Sequence, residues 1–365
     1  MTPWRVTGLA LGGVLGTAAT AAAAVTVTHH SRVAKLRKLC AELGDDQLGD
    51  ELPASREFTV SADDGVPLSV QEIDPADGGA PELTVFLVHG YTLSRRCWLF
   101  QRKYFAESTA PRIRQVLYDH RSHGCSGRSP RPACTIEQLG RDLDTVIRTT
   151  APEGPVVLIG HSLGGMTIMA LAEHRPELFA EQIAGVAFLN TSAGDIGRSG
   201  LPRPLLSRRN PVMPVAKRLS RWPPGLLAVE RVRDLGEHLM WSLIRRISFG
   251  DEEVDPALVE LMNTMIRATS FEVVTDFLAT FGAHNRYAAL AGLQYVKALV
   301  LGSDNDYLIQ FQHSEAIAAL LPDAELVQVP VAGHVPMLEY PDLVNKHLMD
   351  LVHRCVGPSS RQQTG

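Results

Sequence analysis

No phosphate-binding glycine loop occurs in this sequence, neither G-x-G-x-x-G nor a P-loop, so it makes no case for a nucleotide cofactor. A formal net charge of −5 and a pI of about 6.2 leave no basic field for nucleic acid. Cysteine is sparse: Cys40, Cys97, Cys125, Cys134 and Cys355 form an odd, scattered set, which is no disulfide framework and suits a reducing compartment. Internal repeats are absent, and one Ala-rich segment is the sole low-complexity tract. With 45% hydrophobic residues in 365, the chain has enough apolar content for a sizeable core.

Charge is missing in one place above all. Val6 to Thr28 are 23 residues without a charged side chain, long enough to cross a bilayer but weakly apolar, with three Leu and four Val. A secretory signal cut within Ala21–Ala24 is one reading, with Arg5 as its positive region. A retained anchor is the other. Arg32, Lys35, Arg37 and Lys38 follow the segment closely, and the more positive side is normally cytoplasmic. The expectation is a single-pass N-terminal membrane anchor (residues 1–28) with a cytoplasmic catalytic body; secretion after cleavage is the alternative. Residues 29–55 read as a linker, and 357–365 as a disordered tail.

The body alternates strand and helix patterns. Arg56–Ser61 and Val66–Ile73 flank Asp64-Gly65, a hairpin signal. Leu83–Val88, Arg112–Tyr118, Val156–Ile159, Ile183–Leu189, Val296–Leu301 and Glu325–Val329 read as further strands, with an amphipathic helix over Ile136–Thr150. This order predicts a mostly parallel eight-stranded sheet with helices on both faces. Ligands bind such sheets at the carboxyl ends of the strands.

The chemistry gathers at those ends. Gly160-His161-Ser162-Leu163-Gly164 sits between a strand and a helical run, the setting of a nucleophile elbow. Serine needs a base to take its proton and an acid to orient the base. His334, beside Gly333 and just past the last strand, is the candidate base. The loop Gly302-Ser303-Asp304-Asn305-Asp306-Tyr307 offers two acids; Asp306 is preferred and Asp304 is the alternative. The order Ser162, Asp306, His334 is the one expected of this architecture. Two backbone N–H donors for an oxyanion are expected from Leu163 and from Tyr91. His89 reads as a structural histidine shaping the Tyr91 loop. A metal held by Asp119, His120 and His123 is a weaker reading, as is a Cys125–Cys134 pair beside the simpler one of free thiols.

With His89-Gly90, Asp119-His120-Arg121-Ser122-His123-Gly124-Cys125-Ser126, the elbow, the acid loop and Gly333-His334-Val335-Pro336, residues 56–355 resemble the α/β-hydrolase superfamily. The likeness is to its lipase, esterase and non-haem haloperoxidase-like branch. It implies a two-part core (56–192 and 295–356) interrupted by a helical cap (193–294). Ser122 stands where that family usually has Gly, and the acid loop is one residue longer before Asp306.

The expected activity is hydrolysis of carboxylic esters, including lipid esters, through an acyl-enzyme, without cofactor or metal. Acyl transfer, thioester cleavage or perhydrolysis by the same triad are alternatives, as is a non-catalytic membrane-tethered binding protein. Nine basic residues between Arg198 and Arg233 oppose one acid, Glu230, with Trp222 interleaved. They read as a solvated cap face or as a surface for anionic membrane.

Overall fold

The computed structural model describes residues 54–196 and 241–356. The anchor segment, nearly all of the linker, the Arg198–Arg233 stretch and the tail lie outside them. Eight strands form one sheet in the order β1-β2-β4-β3-β5-β6-β7-β8. They are β1 Arg56–Ser61, β2 Pro67–Ile73, β3 Leu83–Val88, β4 Ile113–Tyr118, β5 Val156–His161, β6 Ile183–Leu189, β7 Lys297–Ser303 and β8 Glu325–Val329. β2 runs antiparallel to β1 and β4; every other pairing is parallel.

The central strands are buried and mainly apolar because both faces are covered. In β3, Val85 and Leu87 enter one hydrophobic cluster, and Phe86 and Val88 enter the other. The first cluster takes in Leu99 and Phe105 of α1 (Leu99–Ala106) and Val344, Leu348 and Leu351 of α9 (Pro341–Cys355). The second takes in Leu143, Val146 and Ile147 of α2 (Ile136–Thr150) and Ile168, Met169 and Leu171 of α3 (Leu163–His174). Shorter helices complete the cover: α4 (Pro176–Glu181), α7 (Gln312–Ala318) and α8 (Pro336–Glu339). Neither α4, α7 nor α9 was read from the sequence pattern.

Between β6 and β7, the described part of the insert is helical: residues 241–248, α5 (Pro256–Ala268) and α6 (Phe271–Ala283). Both named helices start on a side-chain cap, Asp255 accepting from the Ala257 N–H and Ser270 from that of Val273. The insert meets the sheet's carboxyl edge, so the loops after β3, β5, β6, β7 and β8 face a shared space. No helix among the described residues is long and apolar enough to cross a membrane.

Candidate active site

Ser162 stands between β5 and α3 with φ +51° and ψ −114°, a backbone state that non-glycine residues hold only where the surroundings enforce it. Its N–H donates to Leu189 O at 2.9 Å, and its carbonyl accepts from Thr191 Oγ1 at 2.6 Å. The turn is tight enough that a Cβ at Gly164 would lie 2.1 Å from Val88 O. At the start of α3, the Leu163 and Gly164 N–H groups have no acceptor within the helix, an end that favours negative charge.

Opposite the elbow, His334 follows β8. Its Nδ1 donates to Asp306 Oδ2 at 2.7 Å, and both side chains are almost wholly buried. Asp306 Oδ1 accepts from the Leu308 and Ile309 N–H groups at 2.8 and 2.9 Å, and Oδ2 also accepts from Asn190 Nδ2 at 2.7 Å. Burial pushes the Asp306 carboxyl up, but the His334 imidazole and these donors outweigh it and hold the group below its ordinary value. Asp304 is exposed and turned away, accepting from Gln328 Nε2. The structure thus brings Asp306 to His334 and leaves Asp304 at the surface.

The His334 backbone is fixed as firmly as its ring. Its N–H donates to Ser248 O at 2.8 Å, and its carbonyl accepts from His161 Nε2 at 2.7 Å. Neither partner was singled out from sequence. Burial, then the neighbouring His334, lowers His161 to about 3, so it stands neutral.

The loop after β3 is held by histidines. His89 donates from Nδ1 to Gly90 O at 2.8 Å, and its Nε2 accepts from the His120 N–H at 2.9 Å. Both ring nitrogens are thus spent on backbone, and burial lowers the imidazole to about 4, consistent with a structural part. His120 Nε2 donates to His89 O, and Asp119 accepts from Arg95 and from the Cys125 N–H. Among the described residues no group of His, Cys, Asp or Glu is placed to hold a metal ion, and Cys97, Cys125, Cys134 and Cys355 are free thiols. Ser122 takes φ +64°, the left-handed state in which glycine is least strained, and its Oγ accepts from the Ser129 N–H. Tyr91 packs on Phe277 and Phe281 of α6, and its hydroxyl donates to Val274 O.

Ser162, His334, His161 and Tyr91 line one cavity of about 280 Å³. Its other walls are nearly all apolar, including Ile244 and Ile247 from 241–248, Met262 and Ile266 from α5, and Leu278 and Phe281 from α6. Among the described residues, its lining holds no Asp, Glu, Lys or Arg. A hydroxyl at a strained apex that shares a cavity with a carboxylate-held imidazole is an arrangement suited to nucleophilic attack on a carbonyl.

The fold is that of a hydrolase, and the chain belongs to the alpha/beta hydrolase family, whose model matches residues 85–347. Its relatives include the proline iminopeptidase PfmaB of Pestalotiopsis fici, 26% identical over 64% of this chain and 80% of that protein. The sn-1-specific diacylglycerol lipase of Mus musculus is 25% identical over 71% of this chain and 77% of its own length. Among solved structures, a thermophilic esterase from Thermogutta terrifontis superposes with a TM-score of 0.62 at 24% identity, covering 82% of this chain and 99% of the other.

Proposed function

We propose that the protein is a serine hydrolase of carboxylic esters with uncharged, apolar acyl groups. Ser162 attacks the ester carbonyl while His334 takes its proton, and Asp306 holds the imidazole in the tautomer that can accept it. The N–H groups of Leu163 and Tyr91 stabilise the oxyanion. His334 then returns the proton to the leaving alcohol, and water releases the acid from the acyl-enzyme by the same steps in reverse order. The observation that carries this reading is the 2.7 Å His334–Asp306 hydrogen bond at the wall of the cavity that Ser162 also lines. Esterase and lipase relatives support the ester class, while the iminopeptidase relative shows that family membership alone does not choose the substrate.

A fluorophosphonate probe tests it. The wild type should label at Ser162 and hydrolyse p-nitrophenyl esters, and Ser162→Ala should do neither. A folded wild type that resists labelling would sink the reading.

Two stretches support membrane attachment: the uncharged residues 6–28, and secondarily the basic stretch from Arg198 to Arg233. The proposal is an anchor with the catalytic body on the cytoplasmic side. Full-length protein should sediment with membranes and protein lacking residues 1–28 should not; recovery of both in the soluble fraction counts against it.

A further inference from the structure

Glu339 lies at the end of α8, five residues past His334, and makes no contact with the cavity. Its carboxylate is nonetheless surrounded by backbone donors from two distant parts of the chain. Oε1 accepts from the Gly333 N–H at 2.7 Å; Oε2 accepts from the N–H groups of Gly250 at 2.8 Å and Asp251 at 3.2 Å. Gly250 is pressed so closely onto the histidine loop that a Cβ there would lie 1.9 Å from Val331 O. Two more bonds stitch the same seam: His334 N–H to Ser248 O, and Tyr340 OH to Asp251 Oδ2 at 3.2 Å. Residues 241–248, immediately before this seam, contribute Leu243, Ile244, Ile247 and Ser248 to the cavity wall.

We propose that Glu339 is a positioning residue for His334: its carboxylate joins the histidine loop to the 248–251 segment, so the place of the imidazole is set by the docking of the cap wall. A carboxylate suits this task because it offers acceptors on both oxygens and makes charge-assisted bonds to N–H donors. An amide of the same size cannot replace it. Gln offers one acceptor oxygen, and its NH₂ would face either Gly333 or the Gly250–Asp251 pair, donor against donor. Burial pushes Glu339 up to about 7, and the facing Asp251 carboxylate adds to this. The other titratable group at the seam is the Tyr340 hydroxyl, which is bonded to Asp251. As pH falls through that value, the protonated acid loses acceptor capacity and comes to resemble Gln.

The inference rests on His334 being the base, and the test separates the two. Wild type, Glu339→Gln and Glu339→Ala would be compared on a p-nitrophenyl ester. The expected result is a kcat about 10- to 100-fold lower in both variants, the range for a misplaced catalytic group, with KM within about twofold. The ratio of wild-type to Glu339→Gln kcat should shrink towards one as pH falls from about 8 to about 6, because a protonated Glu339 carboxyl has lost the acceptor capacity that the amide also lacks. Gln restoring wild-type kcat where Ala fails would reduce Glu339 to a packing role and overturn the proposal; so would a ratio independent of pH.

A readout free of activity is the downfield proton resonance of the His334 Nδ1–H bonded to Asp306, assigned by its loss in Asp306→Asn. It should broaden or shift in Glu339→Gln while the variant stays folded, and an unchanged resonance would overturn the proposal even if the protein proved not to be an esterase.

Discussion

Asn190 Nδ2 donates to Asp306 Oδ2 at 2.7 Å, the same oxygen that receives the His334 Nδ1–H, and it also reaches Gly333 O at 3.1 Å. One amide at the end of β6 therefore holds both the acid and the loop that carries the base. Asn190 has φ +43°, so Ala would add backbone strain to the loss of the amide. Asn190→Gly separates the two, since Gly tolerates that φ. It should lower kcat about tenfold and stability by about 1.5–3 kcal/mol, the usual range for a hydrogen bond to a charged group. Asn190→Asp, which sets two carboxylates against each other, should be worse. Ester kinetics and urea unfolding check both, and wild-type values in Asn190→Gly would refute the role.

The two acids of the β7 loop should behave very differently. Asp306→Asn keeps the shape but loses the charge that fixes the His334 tautomer, and should lower kcat about 10³- to 10⁴-fold. Asp304→Asn changes an exposed contact with Gln328 and should stay within about twofold. Comparable losses in the two variants would contradict the geometry.

Residues whose meaning is local were legible in the sequence. The β3 run shows itself by five apolar residues in six, and the elbow by its glycines. Asp306 is preferred over Asp304 because the Tyr307-Leu308-Ile309 that follows it resembles the register usually seen after this acid. Asn190, His161 and Glu339 carried no such signal. Their partners lie 116, 173 and 89 residues away in the chain, so no local period or motif can reveal them. The placing of β4 between β2 and β3 was equally hidden, because strand order follows from packing and crossover geometry rather than from the composition of one segment.

On the proposed ester reading, the apolar cavity should set an acyl-length preference. Each methylene moved from water into apolar surroundings contributes about 0.8 kcal/mol, or about fourfold. Across p-nitrophenyl esters, kcat/KM should therefore climb steeply from acetate to medium-length chains and then fall. Phe281→Ala should move the maximum to longer acids and Met262→Trp to shorter ones. A series in which acetate is the best substrate would mean that the acyl group does not enter this cavity.

Acid should destabilise the fold through histidines that take no part in the chemistry. Burial lowers His89 and His284 to about 4 and His123 and His161 to about 3, and puts His120 well below its ordinary 6.5. Unfolded, all five bind protons as pH falls below about 6.5; folded, they resist until the lowered values are reached. Their stabilising effect is therefore complete above about pH 6.5 and drains away as pH falls towards 4, at up to about 1.4 kcal/mol per pH unit for each histidine. Five such groups rival the whole 5–15 kcal/mol or so that typically separates folded from unfolded chains. Urea midpoints should hold steady at pH values near 7.5 and fall sharply by about pH 5.5. A midpoint unchanged down to about pH 5 would mean that these imidazoles are protonated within the native fold, contrary to their burial.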